Sequence, residues 1–234
     1  MEIGGLQKTT FIDYPGKIAC TVFLVGCNFR CPWCYSSEIV LPDKITRQPK
    51  IIERDFFSFL DERKGILEGV VICGGEPTIN PELPDFIKEI KKRGLQVKLD
   101  TNGSNPEMIK SLIKDNLIDY IAMDIKAPLN EKSYNSTAGT RVDVDKVKES
   151  VKIIKNSKID YEFRTTVVPS IHDADKIREI AQDISGAKKY FIQNFRAEKN
   201  IDESFTKLEP YSQESLEKIK DSIAHHFDVC QLRY

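Results

Sequence analysis

The chain has 234 residues, enough for one domain with a sizeable core, and balances 35 Lys and Arg against 36 Asp and Glu for a net charge of −1. That near neutrality gives no polybasic footprint for nucleic acid or an anionic membrane. Residues 1–10 lack a basic stretch followed by an apolar one, and no apolar run reaches membrane-spanning length, so the expected location is the cytoplasm. Six cysteines, three of them within eight residues, are not the pattern of a secreted disulfide framework and point to metal ligation or redox chemistry.

After a leader over residues 1–16, β-rich apolar runs alternate with helical patterns. Strands are expected at 18–25, 70–73, 95–100, 120–125, 161–168 and 189–194, each nearly continuous in apolar character, as strands buried on both faces are. Helices are expected at 53–63, 83–93, 106–116, 143–156 and 174–184, where apolar residues recur every three and four positions. A last helix at 212–225 precedes a short strand at 229–232. Residues 204–220, rich in aromatics, Lys and Glu, read as amphipathic helix over the sheet and as a candidate docking surface for a protein partner.

Six βα units are too few to close an eight-stranded barrel. The expected fold is therefore α/β, a partial (β/α)6 TIM-type barrel with the parallel sheet inside, the helices outside and the site at the carboxyl ends of the strands. One domain is expected, with the barrel core at 17–195 and the last helix and strand at 196–234.

The unusual residues collect at the predicted strand ends. Leaving the first strand, Cys27, Cys31 and Cys34 form a Cys-x3-Cys-x2-Cys run, short enough for three thiolates to converge on one soft-metal centre. Structural zinc takes four closed ligands, and no fourth Cys or His lies near in sequence. Three ligands leave one position open, which on a cubane cluster is an iron able to chelate a small molecule. A zinc site completed from a distance by Cys73 or Cys230 is the other reading.

The second strand ends in Cys73-Gly74-Gly75-Glu76-Pro77, where glycines permit close backbone approach and Glu76 offers acceptors to an ammonium group; in isolation the run is also an ordinary turn. Asp100-Thr101-Asn102-Gly103 and Asp124-Ile125-Lys126 end the third and fourth strands and read either as caps and turns or as ligands. Arg164, within an apolar strand, needs a partner if it faces inward and is a surface residue if it does not.

The cysteine run, with Trp33 just before its last member, resembles the cluster motif of the radical S-adenosylmethionine (SAM) enzymes. The resemblance implies a four-iron (4Fe-4S) cluster whose unique iron binds the methionyl amine and carboxylate of SAM, and reductive cleavage to a 5'-deoxyadenosyl radical. It implies that Gly74, Gly75, Glu76 and Pro77 bind the methionyl amine. In the glycyl-radical-activating branch, matching residues hold the methionyl end and a monovalent cation: Asp100, Thr101 and Asp124 would be oxygen ligands there, with Asn102 also at the cofactor and Lys126 near the carboxylate. Arg164 would face the ribose or carboxylate, and Phe195 the adenine.

Residues 6–17, Leu6-Gln7-Lys8-Thr9-Thr10-Phe11-Ile12-Asp13-Tyr14-Pro15-Gly16-Lys17, resemble the leader of activating proteins for anaerobic ribonucleoside-triphosphate reductase. The partners implied are a glycyl radical enzyme as protein substrate and an electron donor such as flavodoxin or ferredoxin. One departure is Tyr35, near the cofactor, where those activating proteins carry His; it leaves open a small molecule or another macromolecule as the radical's target. A zinc-binding interaction protein without turnover is the reading from another class.

Overall fold

The computed structural model describes residues 1–233. The strands are β1 (Ile3–Thr10), β2 (Ala19–Leu24), β3 (Gly69–Gly74), β4 (Gln96–Thr101), β5 (Tyr120–Asp124), β6 (Asp160–Val167), β7 (Lys189–Asn194) and β8 (Val229–Arg233). The helices are α1 (Ser37–Val40), α2 (Pro42–Ile45), α3 (Glu53–Glu62), α4 (Leu83–Lys91), α5 (Pro106–Lys114), α6 (Glu131–Ala138), α7 (Val144–Lys155), α8 (Ala174–Asp183) and α9 (Gln213–Ile223).

All eight strands form one sheet in chain order, β2 to β8 parallel throughout and β1 antiparallel on the edge of β2. Among the described residues β1 and β8 do not pair, so the curled sheet stays open, as the six-unit reading expects. The short last strand extends the parallel run to seven. The leader is in part a strand: β1 lies at the edge, half exposed and mostly polar, and so lacks the apolar run that marks its neighbours.

Because successive strand residues point to opposite faces, each strand serves two environments. Outward-facing Val22, Leu24, Val70, Ile72, Leu99, Ile121, Met123, Phe163 and Ile192 join the main core under the helices. In α4, Leu83, Phe86, Ile87 and Ile90 form the buried stripe against them, Pro84 sits in the first turn, and Lys88 and Lys91 complement the carboxyl end. The inward faces carry a small separate cluster of Tyr14, Ala19, Val71, Tyr120 and Ala122. Tyr14 closes the lumen at the amino ends of the strands: its ring lies 6.1 Å from that of Tyr120, and a Cβ on Gly69 would stand 2.9 Å from it.

Two helical expectations change. Residues 204–220 are not one helix: a 3-10 turn at Glu203–Lys207 is separated by Pro210 from α9, which starts after Ser212 caps Ser215 N–H. Helix α6 was not expected, because Ser, Asn and Thr give its sequence little helical character. Asn130 caps it by accepting from Ser133 N–H, and Gly139 ends it in the left-handed region.

Candidate functional site

The cysteine loop leaves β2 and is held by backbone bonds on several sides. Gly75 N–H donates to Leu24 C=O (2.9 Å) and Glu76 N–H to Gly26 C=O (2.7 Å), tying it to the end of β3. Arg30 N–H donates to Ala138 C=O at the end of α6 (2.8 Å), and a Cβ on Gly139 would stand 2.1 Å from Arg30 C=O. Asn28 bonds Asn102 (3.0 Å) and Ser104 (2.8 Å) beyond β4. From the segment after β7, Asn200 Nδ2 donates to Trp33 C=O (2.8 Å), Ile201 N–H to Cys34 C=O (2.9 Å) and Asp202 N–H to Pro32 C=O (2.9 Å). A loop so pinned presents its three sulfurs without the ordering cost a free loop would carry.

Cys31 is buried and Cys27 and Cys34 are half-buried. Burial pushes Cys27 up to about 11 and Cys31 up to about 12 and raises Cys34; the nearby Lys126 ammonium opposes it at all three. Such thiols release their protons to a metal rather than to neutral water. Among the described residues no three His, Cys, Asp or Glu side chains meet as closely as a single metal ion requires. A cubane gives each thiolate a different iron and so accepts wider spacing. Three thiols without a fourth His or Cys beside them fit a cluster with one open iron better than a closed zinc site.

Gly74 and Gly75 are fixed by backbone crowding. Gly74 has φ +125°, with a Cβ position 2.3 Å from Leu24 C=O, and a Cβ on Gly75 would lie 1.8 Å from Gly26 C=O. The close approach here is of chain to chain, turn onto cysteine loop. Glu76, 1% exposed, does not point free: Oε1 accepts from Thr78 N–H (3.1 Å), Thr78 Oγ1 (2.5 Å) and Thr101 Oγ1 (2.7 Å), and Oε2 from Asn102 N–H (2.6 Å). Burial raises its pKa against these donors. Glu76 thus joins the ends of β3 and β4, and Pro77 opens the short turn Pro77–Ile79 behind it.

Across the lumen, Arg164 faces inward. Its Nε donates to Asp124 Oδ1 (3.0 Å) and one terminal nitrogen to Asp100 Oδ2 (2.9 Å), so one guanidinium bridges the ends of β4, β5 and β6. Lys126 Nζ bonds Asp124 Oδ2 (3.2 Å) and lies 5.0 Å from the centre of the Trp33 ring. Burial alone would raise both carboxylates; Arg164 with Lys98 at Asp100, and with Lys126 at Asp124, outweighs it, holding Asp100 low and Asp124 down to about 2.

The oxygen groups expected at a monovalent cation each have partners within the protein. Asp100 and Asp124 are already paired with protein cations, and the Thr101 hydroxyl is turned to Glu76. Phe195 is buried in the main core, edge-on to Phe205. Tyr35 is 54% exposed beside the cysteine loop.

Several lumen residues carry no motif. Lys98 (1% exposed) bonds Asp100, and Glu162 (fully buried) accepts from Tyr120 Oη (2.8 Å) and from both terminal nitrogens of Arg233 (2.6 and 2.8 Å). Their signal in the sequence is period two: Lys98 and Asp100, then Glu162 and Arg164, place charges on one face of otherwise apolar strands. Asn200, by contrast, sits in an irregular segment with no periodicity to reveal it.

Residues 21–184, which carry the cysteine loop and the ends of β2 to β6, match the family model of the Radical SAM superfamily. The chain belongs to this superfamily. Over 99% of its length this radical SAM enzyme is 33% identical to a Methanocaldococcus jannaschii protein, covering 95% of it, that is provisionally named a glycyl-radical enzyme activating enzyme. It is 24% identical, over 82% of the chain and 78% of the relative, to the 7-carboxy-7-deazaguanine synthase of Thermococcus kodakarensis. The fold matches the crystal structure of Streptococcus suis SuiB with a TM-score of 0.66 at 14% identity, over 90% of this chain and 50% of that longer one.

Proposed function

We propose that this radical SAM enzyme generates a glycyl radical on a partner enzyme, of the anaerobic ribonucleotide reductase type. The observation that carries the reading is the 33% identity, sustained over 99% of the chain, to a protein provisionally named a glycyl-radical enzyme activating enzyme; the reductase type is supported by the leader alone. The leader at residues 6–17 and the lumen, open on one side to a substrate loop, support it.

A bound, reduced 4Fe-4S cluster would supply the one electron that breaks the sulfur to C5' bond of SAM, releasing methionine and a 5'-deoxyadenosyl radical able to take a hydrogen atom from a glycine Cα. Cys27, Cys31 and Cys34 would hold the cluster. Trp33 and Tyr35 flank the last cysteine, and the turn at Gly74, Gly75, Glu76 and Pro77 would set the backbone edge that meets the methionyl amine. Lys126 and Arg164 would present positive charge to the methionyl carboxylate, with Asp100 and Asp124 fixing them in place, while Thr101 and Asn102 hold Glu76 in the turn. The Tyr14 ring closes the lumen at the amino ends of the strands, opposite the cysteine loop. The electron is supplied by a small donor of the flavodoxin or ferredoxin kind, and the enzyme works in the cytoplasm.

The test is anaerobic reconstitution with iron and sulfide, then electron-spin resonance of a candidate partner incubated with protein, SAM and reductant. A glycyl doublet requiring all three is expected. A silent partner despite 5'-deoxyadenosine release would overturn the glycyl target. That outcome would favour a small-molecule substrate, the reading that Tyr35 and the 24% identity to a deazaguanine synthase also favour.

A further inference from the structure

Beneath the Asp100–Arg164–Asp124 bridge lies a second ionic layer that no motif marks. Glu162 is fully buried, and its Oε1 stands 4.0 Å from the Arg164 guanidinium that serves Asp100 (2.9 Å) and Asp124 (3.0 Å). Three carboxylates, Glu162 buried and Asp100 and Asp124 half-buried, thus lie within reach of one arginine. A carboxylate in a dry lumen takes whatever cation is near, because its charge is costly without one. What keeps Glu162 from taking Arg164 is Arg233, which reaches from β8 with both terminal nitrogens on the Glu162 oxygens (2.6 and 2.8 Å). Phe191 lies beside Arg164 in the register of β6 and β7, and the Arg233 guanidinium rests on its ring, 3.6 Å from the centre. Tyr120 Oη (2.8 Å) completes the acceptor shell of Glu162.

We propose that Arg233 is a positioning residue for the SAM site: by occupying Glu162 it leaves Arg164 to bridge Asp100 and Asp124 at the strand ends. This rests on the placement of Arg164 at that site. In this ion-pair network Lys98, Lys126, Arg164 and Arg233 stand against Asp100, Asp124 and Glu162, one cation more than its carboxylates, while the remaining buried carboxylate, Glu76, is held apart by neutral donors from Thr78, Thr101 and Asn102. With Glu162 neutralised from below, the surplus lies toward the mouth, where the methionyl carboxylate of SAM would meet it. The last strand, remote in sequence from every recognised motif, thereby enters the ligand site through one ion pair.

The test is equilibrium binding of SAM to cluster-reconstituted protein, with melting temperature and iron content measured alongside. Arg233→Met is expected to weaken SAM binding by about tenfold or more, the factor that one charge-assisted hydrogen bond carries. Glu162→Gln combined with Arg233→Met is expected to regain affinity to within about threefold of the unmodified protein, because no charged rival for Arg164 remains. Should Arg233→Met not fold, Arg233→Lys, which keeps the charge without the two-pronged grip, is expected to lose a smaller share of affinity. Lower melting temperature with unchanged SAM affinity in the Arg233 variants would overturn the inference, as would a double variant no better than Arg233→Met. Arg164→Met separates the two readings. If it abolishes binding while the Arg233 variants do not, the inference fails alone; if it too leaves binding intact, the Arg164 assignment falls and takes the inference with it.

Discussion

At the scale of single residues, the site divides into groups that would hold the cluster and groups that hold the loop. Cys27→Ala, Cys31→Ala or Cys34→Ala is expected to abolish the iron–sulfur absorbance of anaerobically reconstituted protein and its 5'-deoxyadenosine release, whereas Cys230→Ala retains both. Gly75→Ala tests the second group. With a Cβ position 1.8 Å from Gly26 C=O, the turn and the cysteine loop must part, and cluster incorporation is expected to fall severalfold while helical circular dichroism persists. Glu76→Gln replaces one of two accepting oxygens with an NH2 group that cannot accept, leaving either Asn102 N–H or the Thr78 and Thr101 donors unpaired, at a cost of about 1–3 kcal/mol read by urea unfolding. The cysteines and the Gly-Gly-Glu-Pro run were legible because soft ligands at short spacing and glycine before a helix are rare together. The orientation of Glu76, inward to Thr78, Thr101 and Asn102 rather than toward a ligand, was not, because it depends on how β3 and β4 lie side by side.

At the scale of elements, the six central strands and most helices follow from apolar runs and three-four periodicity. The misses have physical causes: β1 is an edge strand without a buried face of its own, and α6 forms because Asn130 and Gly139 fix its two ends. His172, read from sequence only as lacking metal spacing, links the end of β6 to the end of β5. Its Nδ1 accepts from Val168 N–H (3.1 Å), so Nε2 carries the proton and donates to Lys126 C=O (2.8 Å). Burial drives its pKa down to about 4 from the usual 6.5. The unfolded chain therefore binds a proton that the folded one refuses between those values, and stability rises with pH across that window. His172 is thus expected to remove about 3 kcal/mol as pH falls from 6.5 to 4, and a His172→Asn variant to show a correspondingly flatter dependence of unfolding free energy on pH. An unchanged slope would show that other groups govern it.

At the scale of the whole molecule, an open parallel sheet is closed below by Tyr14 and filled by a charged lumen whose ion pairs connect β4, β5, β6 and β8. The partial barrel was legible in outline because alternating βα units admit few other architectures. The lumen was not, since Lys98, Glu162 and Arg233 are scattered over 136 positions and meet only when the sheet curls. Because Arg164 and Lys126 already neutralise Asp100 and Asp124, exchange of sodium for potassium at constant ionic strength is expected to change SAM cleavage by less than about twofold. A strict requirement for one of these ions would mean that the bridge opens to admit it.

Cys27, Cys31 and Cys34 would hold three irons of a cluster and leave the fourth open, and electron-spin resonance of the reduced, reconstituted protein with and without SAM tests this most directly. A cluster signal whose g-values shift when SAM is added is predicted, as the open iron takes the methionyl group. A signal unchanged by SAM, or a protein that takes up zinc and no iron, would contradict it.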